Sequence, residues 1–300
     1  MAPYQYQGLN AEQSEIRLVN LLPGKFKDSI EVEILHAKFS PGSDTASPPD
    51  KPHYEALSYV WGPEDNPERI KVRGLIARWR PFRKDRVSTP QDYSRNNGSE
   101  LLYAPQTHSG VLYVRQNLST ALRYLRQPAD NRILWIDAIS INQKDVQERN
   151  KQVGRMGEIY SQAARVVFWL GPESEDSPLA MQTIDILAGD LTDEFVVDPT
   201  KPRYRTKDSQ CEKLAANPIL WGTQAEFIGA WLAIRRLFKR LWFSRLWVYQ
   251  ECQLATNGIF IVGNDRISLS WFIRFGLWFS QISANIARGT ESQTLVGDIF

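Results

Sequence analysis

Four short apolar runs recur along the chain, and each ends in a glycine or in a cluster of polar residues. They are YEALSYVWG (54–62), RILWIDAISINQ (132–143), RVVFWLG (165–171) and GIFIVG (258–263). Runs of this length and apolar content predict buried strands. The segments between them, above all 145–163, 225–240 and 244–255, have the apolar spacing of amphipathic helices. Strands that alternate with helices in this way predict an α/β fold with a mostly parallel sheet flanked by helices.

The N-terminal part adds further β structure before the first of these runs. Residues 15–22 and 30–39 predict two strands that form a hairpin or an edge pair. The Pro/Ser-rich stretch that follows, 40–52, predicts an exposed loop. We therefore expect an N-terminal β segment packed on the core (1–53), a main domain (54–262) and the start of a following helical region (263–300) of a longer protein.

Two long insertions are expected in the main domain, at about 74–110 and 172–224. The first contains RWRPFRKDR (78–86), which has five basic residues against one acidic residue. Such a run is either a solvated surface or a binding site for an anionic partner, and both interpretations stay open.

Composition excludes several classes of protein. The formal net charge of +2 gives no reason to expect nucleic acid as a partner. With only two cysteines, Cys211 and Cys252, neither a disulfide framework nor a cysteine-rich zinc site is expected, and the three scattered histidines add no metal site. No signal peptide or membrane-spanning run is evident, so we expect a cytoplasmic protein.

Polar residues follow the predicted strands at their carboxyl ends, where ligands bind in open parallel sheets. The segments are 58–62, 137–143 and 171–173, and they supply Ser58, Trp61, Asp137, Asn142 and Gln143. Asp137 has two interpretations. A carboxylate at a strand end often caps the following loop, but it could also line a binding cleft.

Glu251 is the second candidate carboxylate. On the helix predicted from Ser244, the spacing of Trp247, Glu251 and Leu254 puts them on one face. A glutamate on an apolar face is costly to bury unless it has a partner, and Arg245 or Arg240 could supply one. The alternative is a functional carboxylate. Cys252 and His53 could be drawn as a thiol–imidazole pair, but nothing in their spacing links them, and no phosphate-binding glycine motif occurs.

The helix predicted at 145–163 has start signals of its own. Asp145 and Glu148 have the spacing of a capping box. An apolar stripe that is expected to face the core follows, formed by Val146, Val153, Met156 and Tyr160.

Three blocks together resemble the HET (heterokaryon incompatibility) domain of filamentous fungi. They are YEALSYVWG, then LWIDAISINQKDVQERNKQVGRMGEIYSQAARVVFWLG, then RLWFSRLWVYQECQLA, over roughly residues 54–262. Two departures are Ser140, where the family usually has cysteine, and the insertion at 74–110, where a short turn is usual. The resemblance implies a role in self/non-self recognition, a form of fungal innate immunity in which programmed cell death follows the fusion of unlike cells.

The HET domain is in turn regarded as similar to TIR domains, which have a flavodoxin-like fold. The resemblance implies that Trp247 and Glu251 lie in the places of the TIR tryptophan and glutamate. Some TIR domains cleave NAD with that glutamate, whereas others only self-associate. By this analogy Glu251 is the hypothetical catalytic residue of an NADase that needs no cofactor. Ser58, Trp61, Asp137, Asn142, Gln143, Arg245 and Trp247 would then bind the substrate, and the alternative is a signalling module that assembles with itself or with another incompatibility protein.

Overall fold

A computed structural model describes residues 1–10, 14–39, 53–74, 102–103, 109–190 and 224–287. Its contacts divide the chain into two compact units. The first consists of Met1–Gly171 and Leu246–Asn257, and the second of Pro172–Arg245 and Gly258–Phe300. The basic segment 78–86 lies outside the described residues, so its role stays a prediction, as do the domain boundaries expected from the sequence.

The first unit is built on a mixed sheet. Its strands are β1 (Ile16–Leu21), β2 (Glu31–Ala37), β3 (Glu55–Ser58), β4 (Glu68–Val72), β5 (Leu102–Tyr103), β6 (Gly110–Val114), β7 (Arg132–Trp135) and β8 (Arg165–Gly171). The strand order within this unit is β8-β3-β7-β1-β2-β4-β6, and β5 pairs with β2.

Helices connect and cover these strands. The described helices are α1 (Gln116–Leu125), α2 (Asp137–Ser140), α3 (Val146–Gly154), α4 (Met156–Gln162), α5 (Ser177–Asp190), α6 (Gln224–Phe238), α7 (Trp247–Leu254) and α8 (Leu269–Ala287). Of these, α1 to α4 and α7 belong to the first unit, and the other three belong to the second.

The prediction of a mostly parallel sheet is wrong, although the α/β class is confirmed. Parallel pairing joins β7 to β3, β3 to β8 and β2 to β4. The other described pairs in this unit, namely β1 with β2, β1 with β7, β2 with β5 and β4 with β6, are antiparallel. The reason is the N-terminal hairpin. Its two strands are joined by a short connection and must pair antiparallel, and β1 then adds antiparallel to β7 and extends the sheet.

The long helix predicted at 145–163 is two helices, because Arg155 leaves helical geometry at φ −103° and ψ 0°. Half of the predicted capping box is confirmed, since the Asp145 carboxylate accepts hydrogen bonds from the backbone N–H groups of Gln147 and Glu148, both at 3.0 Å. The other half is wrong, because the backbone N–H of Asp145 donates to the Asn142 carbonyl and Glu148 accepts from the backbone N–H of Asn142 instead. The predicted apolar stripe is wrong in its first half, because Val146 and Val153 are exposed. The side chain of α3 that is buried is Gln152, which donates to the Glu15 carbonyl at 3.2 Å.

The second unit has an aromatic core. Its strands β9 (Gly258–Val262) and β10 (Asp265–Ser268) form an antiparallel hairpin. Phe260 of β9 stacks on Phe272 of α8 with 4.2 Å between ring centroids, and Trp231 of α6 stacks on Trp278 at 6.2 Å. A short 3-10 helix, Leu241–Ser244, ends this segment just before Arg245.

Candidate functional site

The central strand β3 presents the first candidate residue at its carboxyl end. All four of its residues are buried, because β7 and β8 pair with it on its two sides. The Tyr160 hydroxyl of α4 donates a hydrogen bond to the Leu57 carbonyl at 3.1 Å, which ties the end of β3 to this helix. Ser58, the last residue of β3, is therefore held on a rigid part of the molecule.

Ser58 and Glu251 are in direct contact. The Ser58 hydroxyl donates a hydrogen bond to Glu251 Oε2, although the two residues are 193 positions apart in the chain. Glu251 lies on α7 and is only 4% exposed. Burial of a carboxylate is costly without hydrogen-bond donors, and a hydroxyl aimed at it offsets part of that cost. Glu251 is therefore buried with a hydroxyl as a partner, and its predicted catalytic role stays a prediction.

The free space beside Glu251 is small. The cavity there has a volume of about 10 Å³ and is lined by Met156, Gly157, Tyr160, Trp247, Gln250, Glu251 and Leu254. A volume of roughly 10–15 Å³ accommodates one water molecule, whereas pockets for small organic ligands measure about 300–1,000 Å³. In this conformation the site has room for a water molecule beside the carboxylate, and a nicotinamide ring does not fit.

A second polar cluster follows the neighbouring strand β7. The parallel register pairs Ala56 of β3 with Trp135 of β7. Ser58 and Asp137 each follow two residues later, so they are at the same level along the two strands. Asp137 Oδ2 accepts a hydrogen bond from the Trp61 indole N–H at 2.7 Å, and its Oδ1 accepts from the backbone N–H of Ala138 at 2.7 Å. The same carboxylate thus fixes the loop after β3 and the start of α2, which supports the structural interpretation of Asp137.

The loop that carries Trp61 has two further supports. Arg115 lies over the Trp61 ring, 5.1 Å from its centroid, and donates to the Gly62 carbonyl at 2.6 Å. Asn117 donates to the Val60 carbonyl at 2.5 Å. Gly62 has φ +74°, a left-handed conformation that favours glycine, so the turn after Trp61 depends on this residue.

The remaining predicted site residues are divided between the two units. Gln143 donates its amide to the Asp137 carbonyl at 2.9 Å, and the backbone N–H of Asn142 donates to Glu148 at 2.7 Å. Trp247 lines the same small cavity as Glu251 and is 57% exposed. Arg245 belongs to the second unit, as does Arg240, which donates to the Pro172 carbonyl at 2.9 Å. The predicted roles of Asn142, Gln143, Arg245 and Trp247 in substrate binding stay predictions.

The sequence did not predict the role of Arg17, which contacts the segment that follows β7. Arg17 is the second residue of β1, and its buried guanidinium pairs with Glu148 of α3 at 2.5 and 3.0 Å. It also donates to the Ser140 carbonyl at 3.3 Å and stacks on the Tyr6 ring. The available signal was an arginine inside the apolar run EIRLVNLL, because a charge buried in a strand requires a partner.

A thiol–imidazole site at Cys252 and His53 gains no support. Burial, and then the adjacent carboxylate of Glu251, raise the pKa of the Cys252 thiol to about 12, so the thiol stays protonated and weakly nucleophilic at neutral pH. His53 is exposed. Over the described ranges, no three His, Cys, Asp or Glu side chains converge in a way that could hold a metal ion. No helix in the described part of the chain is both long and apolar enough to cross a bilayer.

Comparisons with known proteins identify the family. The family model named heterokaryon incompatibility protein (HET) matches residues 54–251, which is more than half of the chain. The chain is also similar to heterokaryon incompatibility protein 6, OR allele, of Neurospora crassa, with 28% identity over 272 residues, 88% of this chain. That alignment covers only 35% of the relative, so the chain spans about a third of its length. No solved structure matches the chain. The chain belongs to the heterokaryon incompatibility (HET) protein family.

Proposed function

We propose that this chain is a heterokaryon-incompatibility module, which triggers regulated cell death by assembling with copies of itself or with another incompatibility protein. The observation that carries the proposal is the family match over residues 54–251, which includes all of β3 and α7 as far as Glu251. The similarity to a Neurospora crassa heterokaryon incompatibility protein supports the same role. We place the module in the cytoplasm.

The geometry favours assembly over catalysis in the conformation described. The carboxylate of Glu251 is covered, and the space of about 10 Å³ beside it is far below that of a small-molecule site. Ser58, Asp137 and Gln143 make hydrogen bonds within the protein, which supports roles in holding the edge of the sheet. A TIR-like arrangement is part of this proposal. It draws support from the parallel order β7-β3-β8 and from the helix that brings Glu251 to the end of β3.

The second candidate function is cleavage of NAD at the bond between nicotinamide and ribose. Glu251 favours it, because a buried carboxylate at the carboxyl end of a parallel strand could stabilise the oxocarbenium-like transition state. Trp61 or Trp247 would stack on a flat ring, and Arg245 would hold a phosphate. This candidate requires that α7 move away from Ser58 to admit the substrate, since a cavity of about 10 Å³ has room for no more than about one water molecule.

One paired assay separates the two candidates. Purified protein, both free and fused to an inducible clustering domain, is incubated with NAD, and released nicotinamide is measured. In parallel, the same variants are expressed in a filamentous fungus and cell death is scored. Glu251→Gln removes the charge at the site, and Glu158→Gln, an exposed glutamate of α4, is the matched control.

We expect cell death from the wild-type protein, from Glu158→Gln and from Glu251→Gln, with no nicotinamide release. If clustering produces nicotinamide, and Glu251→Gln abolishes both this release and cell death, the module is an NADase. The absence of cell death with wild-type protein in the clustered state would contradict both candidates.

A further inference from the structure

The short helix α7 has the reverse of the usual burial pattern of a surface helix, because it buries its charged residue and exposes apolar ones. The residues that it buries are Val248 and Glu251, and Glu251 is its only charged residue. Three bulky apolar side chains at its start are exposed. Leu246, which caps it, is 88% exposed, Trp247 is 57% exposed and Tyr249 is 71% exposed. Single exposed apolar residues are common, but three within one turn of a helix are informative.

These exposed residues share one side of the helix. At about 100° per residue, Leu246, Tyr249, Gln250 and Gln253 lie within one arc, and Trp247 lies at its margin. All of them are exposed. Val248 and Glu251 lie on the opposite side. We call the five exposed residues the outer α7 face.

The chemistry of this face indicates its partner. The outer α7 face contains no ionisable side chain except the phenol of Tyr249, so it has no charge with which to select an oppositely charged surface. Its amides, Gln250 and Gln253, can each donate and accept hydrogen bonds, so an identical face can satisfy them. By contrast, the exposed side of α3 carries Arg149 and Lys151, which would repel their own copy.

We infer that the outer α7 face binds the outer α7 face of a second copy of this chain. A neutral, apolar surface with self-complementary amides meets the requirement of a two-fold interface, in which the same patch faces itself. The inference rests on the proposed function, because it assigns a surface to the self-association proposed there.

The size of the face predicts a weak contact. Aromatic side chains bury roughly 150–250 Å² each, so the exposed parts of Leu246, Trp247 and Tyr249 offer on the order of 400 Å². A stable interface needs about 800 Å² from each partner. The face alone therefore predicts association that depends on concentration, as expected of a module that acts when it is clustered.

Sedimentation velocity over a range of concentrations tests the inference. Leu246→Glu and Tyr249→Glu each add two like charges to the two-fold interface, one from each copy, and neither residue lines the cavity at Glu251. We expect each to lower the association constant at least tenfold. Tyr113→Glu is the matched control, because Tyr113 is 63% exposed on β6 of the same unit, and it should associate like the wild type.

A charge-pairing experiment separates lost contact from lost folding. Leu246→Glu and Leu246→Lys should each stay monomeric alone, and an equal mixture of the two should associate again, because the opposite charges now meet across the two-fold axis. Wild-type protein that stays monomeric at high concentration would overturn the inference. So would association that is unchanged in Leu246→Glu, or a mixture that stays monomeric.

Scoring cell death with the same variants keeps this inference distinct from the proposed function. If Leu246→Glu neither associates nor kills, and an inducible clustering domain restores killing, both hold. If Leu246→Glu still kills without associating, the surface is wrong while the function stands. If it loses killing although the wild type is monomeric, another protein binds the face, and the inference of a second copy is overturned.

Discussion

The two ends of β3 each hold a buried carboxylate, and they do so by different means. At the amino end, Glu55 lies between two arginines. Arg132 donates to Oε2, and Arg165 donates to Oε1 at 2.6 Å. At the carboxyl end, Glu251 accepts a hydrogen bond from the neutral hydroxyl of Ser58. Two arginines from the neighbouring strands β7 and β8 therefore bind the first carboxylate, whereas a neutral serine hydroxyl of β3 itself binds the second.

The difference shows which end of the strand serves stability. Burial alone would raise the pKa of Glu55, but Arg132 and Arg165 outweigh burial and lower it. Those arginines come from β7 and β8, so the ion pairs join the three parallel strands at their starts. A bond between a hydroxyl and a carboxylate can be exchanged for a bond to water or to a ligand at a smaller cost. The amino end of β3 is therefore the end at which ion pairs join it to both neighbouring strands.

The largest expected effect concerns the amino end. Arg132→Met leaves the buried Glu55 without its most buried partner, and breaking a buried ion pair costs about 3–5 kcal/mol of unfolding free energy. Arg165→Met should cost less than about 1 kcal/mol, because the Arg165 side chain is 39% exposed and water replaces its contact. Urea unfolding followed by tryptophan fluorescence measures both. Equal losses in the two variants would contradict the assignment of Arg132 as the structural partner.

The next effect concerns the carboxyl end. Ser58→Ala removes a hydrogen bond to a buried carboxylate, which costs about 1.5–3 kcal/mol. Ser119→Ala is the control, because Ser119 is as buried as Ser58 but donates to a neutral carbonyl, that of Gln116, so its loss should stay near 1 kcal/mol. A double-mutant cycle with Glu251→Gln should show coupling between residues 58 and 251. Additive losses would mean that the contact contributes nothing of its own.

A smaller effect is expected at the neighbouring strand end. Asp137→Asn keeps an acceptor for the Trp61 indole N–H but removes its charge, so we expect a loss of about 1 kcal/mol in urea unfolding. Asp145→Asn is the control, since asparagine caps a helix as well as aspartate does, and its loss should stay below about 0.5 kcal/mol. A wild-type stability in Asp137→Asn would argue against a structural role for this carboxylate.

Local patterns in the sequence predict the parts of the fold that depend on local chemistry. The four apolar runs are the strands β3, β7, β8 and β9, and Asp145 caps its helix as its spacing predicts. In each case the outcome depends on residues within one or two turns of helix or one strand.

The parts that the sequence did not predict depend on distant partners. Arg17 is held by Glu148, 131 residues away, and no local pattern connects them. Val146 and Val153 are exposed because the helix ends at Arg155 and because α3 turns Gln152 toward the protein interior. There Gln152 donates a hydrogen bond to the carbonyl of the distant residue Glu15. The pairing of β1 with β7 likewise joins residues that are far apart in the sequence, such as Val19 and Leu134. The TIR-like fold and the roles of Arg245 and Trp247 stay predictions.

The smallest expected effect is a pH dependence that arises from Glu55 at the amino end. The pKa of Glu55 is lowered from its ordinary value of 4.5, so its ion pairs stabilise the protein fully above that value. As the pH falls from about 4.5 through the lower pKa of the folded state, the unfolded chain binds the proton first and the stabilisation is lost. Glu55→Gln, which cannot titrate, should be less stable than the wild type at pH 7. The difference in urea midpoint between the two proteins should shrink as the pH falls below 4.5, because acid then protonates Glu55 in the wild type. Other carboxylates titrate in both proteins and cancel in this difference. A difference that stays constant down to acid unfolding would show that Glu55 contributes through packing, and the contrast between the two ends of β3 would then not be one of charge.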